Sequence, residues 1–118
     1  VTDNPNIFPD EDMIVSGAEN VYSIEVENAL SYHPSVIESA VIGMPDEKWG
    51  ERVHAIIVVA DGAEPPADAD LREHCRERIA GYKIPKSYEF RTELLPRSAT
   101  GKVLKRELRD KRAGTDMQ

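Results

Sequence analysis

Lys102 is the residue of this chain whose type and setting could do chemistry. It ends the run LPRSATGK at residues 95–102, where small polar residues and a glycine predict a pliable loop. A lysine on such a loop can carry a compact positive charge into a cleft that the loop does not form. There it could neutralise a carboxylate or a phosphate during a reaction. The alternative is a solvated turn before a basic helix, and these residues alone favour the turn.

The phosphate-binding P-loop motif is excluded at this position. That motif needs a glycine five residues before Gly101 and a serine or threonine after Lys102, whereas the chain has Pro96 and Val103 there. Lys102 is therefore expected to act through its side chain, not as part of a cradle of backbone N–H groups.

Charge limits the kinds of partner that the chain can have. Its 118 residues include 22 acidic and 15 basic side chains, for a net charge of -7. This excess of acid argues against nucleic acid as a partner, because phosphate neutralisation requires a basic surface. A local anion site stays open near the C-terminus, where seven basic residues crowd together: Arg97, Lys102, Lys105, Arg106, Arg109, Lys111 and Arg112.

The cysteine and histidine content bears on compartment and metal binding. The single cysteine, Cys75, cannot form an internal disulfide and indicates a reducing, cytoplasmic location. His33, His54 and His74 lie far apart without a carboxylate or cysteine at ligand spacing, so no metal site is predicted. No apolar run reaches the length of a transmembrane segment.

Hydrophobic patterns predict an α+β (α/β) fold, with a small mixed β-sheet flanked by about three helices and preceded by a short hairpin. The apolar run 53–59 is typical of a strand covered on both faces, and it should pair with 36–43 at the centre. Cys75 falls on the buried face of a helix, which favours packing over reactivity. The other elements are a small hairpin, or a strand and a loop, from 13–15 and 20–22, a helix over 24–33 capped by Ser23, a helix from Asp68 or Asp70 to Ala80 with Gly81 beyond its end, a strand over 87–91 and a helix over 103–112.

The only tryptophan, Trp49, falls in a polar loop predicted at residues 44–51. A tryptophan in a loop can cover the core or present a stacking surface. The pattern favours a cover over the core and leaves the second interpretation open.

Four segments of the chain resemble signature segments of one enzyme family. They are DMIVSGAENVYSIEVE at 12–27, VIGMPDEKWGE at 41–51, YKIPK at 82–86 and the Lys102 loop. In order and separation they resemble the C-terminal domain of acyl-CoA synthetases, which belong to the adenylate-forming, AMP-binding superfamily. The resemblance covers about Asp10 to Asp110, and it overturns the interpretation of Lys102 as a solvated turn.

The resemblance implies an ATP-dependent ligase that joins a carboxylic acid, such as a fatty acid, to coenzyme A. The acid first forms an acyl adenylate with release of pyrophosphate, and coenzyme A then displaces AMP. The small C-terminal domain rotates between the two steps. The implied partners are the N-terminal AMP-binding domain of the same chain, the fatty or other carboxylic acid, ATP and coenzyme A, with Mg²⁺ accompanying ATP outside this domain.

The same resemblance implies roles for individual residues. Lys102 would contact the reacting carboxylate and phosphate, and Glu11 and Asp12 would form the hinge. The loop from Ser16 to Tyr22 would then line the path of pantetheine, for which glycine allows close approach. The residues implied to bind pantetheine or the nucleotide of coenzyme A are Ser16, Gly17, Ala18, Glu19, Asn20, Trp49, Tyr82 and Lys86.

The chain departs from the family pattern at three positions. Ala18 replaces the usual second glycine and adds a methyl group on the pantetheine path, Ser23 replaces a common proline that starts the helix, and Pro9 stands where an arginine usually contacts the ribose. Residues 1–10 are accordingly expected to be a linker or a chain edge, 11–112 the mobile domain and 113–118 a disordered tail.

Two alternatives remain at this point. The chain could come from the adenylation domain of a peptide synthetase or a luciferase-like oxidase, or it could be a free-standing binding module without catalysis. The text TGKVLKREL at residues 100–108 favours the CoA ligases, because peptide-synthetase domains typically read Asn-Gly-Lys-Val-Asp-Arg there.

Overall fold

The fold is built on two long antiparallel strands. In the computed structural model, which describes the backbone of residues 13–116 and the side chains of 13–112, these strands pair from Glu38 with Val58 to Asp46 with Gly50. The elements in chain order are β1 (Met13–Ser16), β2 (Glu19–Tyr22), α1 (Ser23–Ser31), β3 (Glu38–Asp46), β4 (Gly50–Val58), α2 (Asp68–Arg76), a 3₁₀ turn (Gly81–Lys83), β5 (Ser87–Arg91) and α3 (Lys105–Asp116).

The sheet is mixed, as the sequence predicted. β5 runs parallel to β4, whereas β3 runs antiparallel to it. β1 and β2 form the predicted hairpin, which joins the sheet where Ser16 pairs with Gly50. The α+β fold is confirmed. The hairpin lies next to the turn between β3 and β4, and β3 forms an edge of the sheet instead of its centre, because among the described strands only β4 pairs with it.

The apolar run of β4 is buried on both faces, which confirms its prediction from composition. On one face Val53 and Ile57 pack against α1 and α2, and on the other Ile56 packs against Leu108 of α3. Full burial of each such side chain is worth roughly 1.5–3 kcal/mol. Cys75 packs in the first of these clusters, and burial raises the pKa of its thiol. The interpretation of Cys75 as a packing residue is confirmed.

Ser23 does not cap α1, contrary to the sequence prediction. It is the first residue of the helix, Tyr22 occupies the N-cap position, and no side chain caps the helix there. The Ser23 hydroxyl is buried and accepts a hydrogen bond from Lys105. Lys105, which is distant in sequence, therefore binds the Ser23 hydroxyl oxygen that was expected to accept a backbone N–H at the start of α1.

The bounds of α2 also differ from the prediction. Ala67 occupies its N-cap position without a capping side chain, so neither of the aspartates proposed for that role serves it. The helix ends at Arg76 instead of Ala80. The Arg78 guanidinium binds the carbonyl of His74 at 2.9 Å, which satisfies an acceptor of the last turn. Gly81 begins the 3₁₀ turn instead of terminating α2.

α3 is shifted toward the C-terminus relative to its prediction over 103–112. Val103 forms an isolated bridge with Arg97, which delays the start of the helix to Lys105. The helix then continues to Asp116, through part of the segment expected to be a tail. This segment begins with Ala113, and alanine is the residue type with the highest helix propensity.

The loop predicted at 44–51 is shorter in the structure, because β3 and β4 extend into it. Asp46 Oδ1 accepts hydrogen bonds from the backbone N–H groups of Lys48 and Trp49 at 2.9 and 3.0 Å. These bonds close a tight turn over residues 47–49.

Candidate functional site

The β1–β2 hairpin turns through Gly17 and Ala18. Gly17 has φ 63°, and among the described residues no non-glycine residue has a positive φ. A glycine with positive φ at the first central position is the pattern of a type II′ turn. Ala18, which replaces the usual second glycine, therefore adopts an ordinary backbone conformation and costs no strain.

Trp49 packs against this turn. The Gly17 N–H donates to the Trp49 carbonyl at 2.7 Å, and a Cβ on Gly17 would lie 3.3 Å from Trp49 Cε3. Gly17 thus lets backbone and indole approach each other closely. Beside it, Ser16 is buried and its hydroxyl has no hydrogen-bond partner among the described residues. Trp49 belongs to the hairpin surface, so the interpretation favoured from sequence, a cover over the core, is wrong.

Two lysines bring positive charge to the Trp49 ring. The ammonium of Lys48 lies 5.0 Å from the ring centroid and that of Lys86 lies 4.6 Å from it, both within cation–π range. The Lys86 N–H donates to the carbonyl of Val53 at 2.8 Å, which fixes this segment to β4. The hairpin, an aromatic face and a cation therefore form one surface, able to hold a ligand that carries both rings and negative charges.

Tyr82 lies in the 3₁₀ turn just before Lys86, and its side chain is exposed. The Lys83 ammonium lies 5.5 Å from the Tyr82 ring and 2.8 Å from the carboxylate of Glu25. The hydrogen bond to Glu25 raises the pKa of Lys83. An open cleft of about 540 Å³ lies beside this segment and is lined by Arg72, Arg76, Gly81, Ile84, Pro85 and Lys86.

Lys102 is exposed on a loop closed by the bridge between Arg97 and Val103. Inside the loop the Ser98 N–H donates to the Lys102 carbonyl at 2.8 Å, and the Gly101 N–H donates to the Ser98 carbonyl at 2.9 Å. Gly101 has φ 90°, and no heavy atom lies within 4 Å of the place where its Cβ would be. The loop is thus a small turn held by its own hydrogen bonds.

Glu38, the first residue of β3, fastens this loop to the sheet. Its carboxylate accepts the N–H of Leu95 at 2.8 Å and forms an ion pair with Arg97. Arg97 in turn donates to the carbonyl of Gly101 at 2.8 Å. The sequence places Arg97 only within a basic cluster, and nothing in the spacing of these residues links it to Glu38.

Lys105, three residues after Lys102, forms a second set of buried contacts that the sequence did not predict. Its buried ammonium lies 2.7 Å from Ser23 Oγ and 2.7 Å from Glu27 Oε2. Glu27 Oε2 also accepts the N–H of Val41 at 2.9 Å. The available signal was the i, i+3 spacing of Lys105 and Leu108, which places the lysine beside the apolar stripe of α3.

The far end of α3 is fastened to the sheet by Glu89. This carboxylate accepts a hydrogen bond from Arg112 Nε at 2.7 Å and lies 3.0 Å from His54 Nε2. The hydrogen bond from Arg112 lowers the pKa of Glu89 to about 2, whereas burial lowers the pKa of His54 against the opposing effect of Glu89. His54 Nδ1 lies 2.7 Å from Ser87 Oγ, which also receives a hydrogen bond from Arg52. The ion pair between Arg112 and Glu89 therefore attaches α3 to β5.

The structure therefore brings some of the predicted site residues together and leaves others apart. Gly17, Ala18, Trp49 and Lys86 share one surface and Ser16 is buried beside Gly17, whereas Lys102 occupies its own loop. Glu19 and Asn20 are exposed on β2. The predicted hinge residues, Glu11 and Asp12, lie outside the described residues. Among residues 13–116, no set of three His, Cys, Asp or Glu is placed to hold a metal ion, and no helix is long and apolar enough to cross a membrane.

Residues 25–102 match the protein family described as AMP-binding enzyme C-terminal domain. The chain is 52% identical over 99 residues to a feruloyl-CoA synthase of Amycolatopsis sp, covering 84% of this chain and 20% of that protein. It is 50% identical over 105 residues to a long-chain-fatty-acid–CoA ligase of Mycobacterium tuberculosis, covering 89% and 20%. A fatty acyl CoA synthetase structure from Mycobacterium tuberculosis superimposes with a TM-score of 0.79 at 45% identity, covering 88% and 20%. The chain spans about a fifth of the length of these relatives.

Proposed function

This chain belongs to the family of C-terminal domains of adenylate-forming acyl- and carboxylate-CoA ligases, and from that premise we propose what the whole protein does. It activates a carboxylic acid, such as a fatty acid, with ATP and transfers the acyl group to coenzyme A. The observation that carries the proposal is the presence, on one small domain, of a loop that presents a cation and a hairpin turn against which the Trp49 ring packs.

Lys102 serves the first half-reaction. A carboxylate oxygen of the acid attacks the α-phosphorus of ATP, the bond to the β-phosphate oxygen breaks, and pyrophosphate leaves. Negative charge builds up on the oxygens around phosphorus in the transition state, and an ammonium group delivered there stabilises it. The exposed position of Lys102 on a turn closed by the bridge between Arg97 and Val103 supports this role.

The hairpin serves the second half-reaction. The coenzyme A thiolate attacks the acyl carbon of the adenylate, and the bond to the phosphate oxygen breaks to release AMP. The Gly17–Ala18 turn presents nothing larger than a methyl group to the narrow pantetheine arm. The Trp49 ring is suited to the adenine, and Lys86 to the phosphates, of the nucleotide end. Tyr82 and the cleft next to Lys86 extend the same surface.

The remaining partners follow from the same proposal. An N-terminal AMP-binding domain of the same chain supplies the acyl pocket, and Mg²⁺ that accompanies ATP is assigned to that domain. Glu11 and Asp12 stay the predicted hinge. The buried free thiol of Cys75 supports a cytoplasmic location, where thiols are kept reduced.

A full-length protein containing this chain tests the proposal. Incubation with ATP, coenzyme A and a panel of fatty and aromatic acids should release AMP and pyrophosphate and form acyl-CoA, measured by mass spectrometry. The matched control is the 118-residue chain alone, which should release neither product because the proposal assigns the acyl pocket to the N-terminal domain.

Other products would identify the alternatives. Adenylate formation without acyl-CoA would favour a peptide-synthetase-like or luciferase-like enzyme, and no adenylate with any acid would favour a binding module. Turnover by the purified chain alone would contradict the assignment of this domain as part of a larger enzyme. The identities of 50 and 52% to CoA-forming relatives support the ligase over these alternatives.

A further inference from the structure

Lys105 connects the starts of the two helices that follow the Lys102 loop and the hairpin. It is the first residue of α3, three residues after Lys102. Its ammonium partner Ser23 is the first residue of α1 and directly follows β2, the second strand of the hairpin. One buried contact of 2.7 Å therefore joins the base of the Lys102 loop to the base of the hairpin.

The contact extends to a third element. Glu27 Oε2 lies 2.7 Å from the Lys105 ammonium and also accepts the N–H of Val41 on the edge of the sheet. Lys105 is only 9% exposed, so these charge-assisted bonds act in an environment where water competes weakly. The three elements α1, β3 and α3 are thus held together at one point, which we name the Lys105 cluster (Ser23, Glu27, Val41 and Lys105).

We propose that Lys105 is a positioning residue for both half-reactions: it fixes the distance between the Lys102 loop and the hairpin. The inference rests on the proposed function together with the domain rotation that the family resemblance implies, which would exchange one loop for the other at the same cleft. Such an exchange places both loops accurately only if their separation within the domain is constant. A displacement of about 1 Å in a reacting geometry can cost on the order of 10²-fold in rate.

The first test measures both half-reactions of the full-length protein separately. Lys105→Met should lower kcat for adenylation and kcat for thioester formation from supplied acyl adenylate, each by on the order of 10²-fold. The KM values for ATP and coenzyme A should change much less, because binding groups remain in place. Lys111→Met removes an exposed lysine from the same helix and should leave both rates unchanged.

The second test separates positioning from the cost of an unpaired buried carboxylate. Lys105→Met alone leaves Glu27 without its cation, whereas Lys105→Met with Glu27→Gln leaves no charge and retains an acceptor for the Val41 N–H. The double variant should regain thermal stability while both half-reactions remain slow. Wild-type rates in the double variant, or a loss confined to one half-reaction, would overturn the inference.

Hydrogen exchange distinguishes failure of this inference from failure of the proposed function. In the full-length Lys105→Met with Glu27→Gln variant, amides of both 16–19 and 97–103 should exchange faster than in the wild type. Unchanged exchange would overturn the coupling of the loops, even in an active ligase. A wild-type protein that forms neither adenylate nor acyl-CoA would overturn the function and the kinetic role of Lys105, whereas faster exchange in both loops would still support the structural coupling.

Discussion

Two glycines with left-handed backbone conformations carry the two candidate site loops, and their surroundings differ. Gly17, at φ 63°, packs under the Trp49 ring and donates its N–H to the Trp49 carbonyl. Gly101, at φ 90°, has open space where a side chain would be, and its N–H bonds within its own loop. The hairpin turn is thus placed by a neighbouring element, and the Lys102 loop is shaped mainly by itself.

This difference fits the two tasks that we propose. A channel for a thin ligand needs walls fixed by several elements, and Trp49 and Gly50 of the adjacent turn supply them for the hairpin. A cation that enters a cleft on another domain needs to be exposed, and Lys102 is exposed on a turn closed between Arg97 and Val103, with open space beside Gly101. Lys105 then relates the two loops through their helices.

The largest expected effect tests whether the Lys102 loop serves one step alone. Lys102→Ala in the full-length protein removes a charge-assisted contact to phosphate, which typically costs about 10²–10³-fold in rate. Adenylation should fall by that amount. Thioester formation from supplied acyl adenylate should change little, since by then the hairpin faces the cleft.

Separate assays of the two half-reactions decide this prediction, with Lys111→Ala as the exposed-lysine control. An equal loss in both half-reactions would indicate faulty folding or domain docking. No loss in adenylation would return Lys102 to the interpretation of a solvated turn.

The second test compares the glycines directly. Alanine in the left-handed region costs about 1–2 kcal/mol, so Gly101→Ala should lower the free energy of unfolding by about 1 kcal/mol. Gly17→Ala should lower it by about 2 kcal/mol, because its Cβ would also lie 3.3 Å from the Trp49 ring. Urea denaturation of the two variants measures both values, and equal losses would show that Trp49 moves aside freely.

The same two loops show which parts of the fold and of the candidate site the sequence alone could predict. The strand β5, the apolar run of β4, the hairpin and the Lys102 loop were predicted from local residue patterns, and the family resemblance supplied the roles of the hairpin and of Lys102. The Lys105 cluster could not be found that way. A lysine in a basic segment has the same local pattern whether it is solvated or buried, and its partner Ser23 lies 82 residues away.

The predictions for Trp49 and for the helix ends were wrong for a related reason. Turn residues in a polar stretch do not reveal which element they face, so the contact of Trp49 with Gly17 needed the register of β1 against β4. The expected cap of α1 failed because a tertiary partner of Ser23 competed with the backbone of its own helix.

The third prediction tests whether the hairpin has spare room at its tip. Ala18 is exposed on the turn, so Ala18→Leu should leave the free energy of unfolding unchanged. A bulky side chain on the pantetheine path should slow thioester formation by about tenfold, equivalent to about 1.4 kcal/mol. Adenylation should be unaffected. Ala63→Leu, at another exposed alanine, is the control, and an undiminished rate with Ala18→Leu would remove this turn from the pantetheine path.

The smallest effect concerns the helix that follows the Lys102 loop, because a titratable group fastens its far end. Glu89 has a folded-state pKa of about 2, below its ordinary value of 4.5. The unfolded chain therefore binds more protons between these values, and the stabilisation from Glu89 is complete above about pH 4.5 and is lost as the pH falls toward about 2. Allowing for solvent screening of this partly exposed carboxylate, the loss should be about 1 kcal/mol. Unfolding free energies of the wild type and of Glu89→Gln should converge across this window as the pH falls. A constant difference between the two proteins would show that the bond from Arg112 to Glu89 does not hold α3 against the sheet.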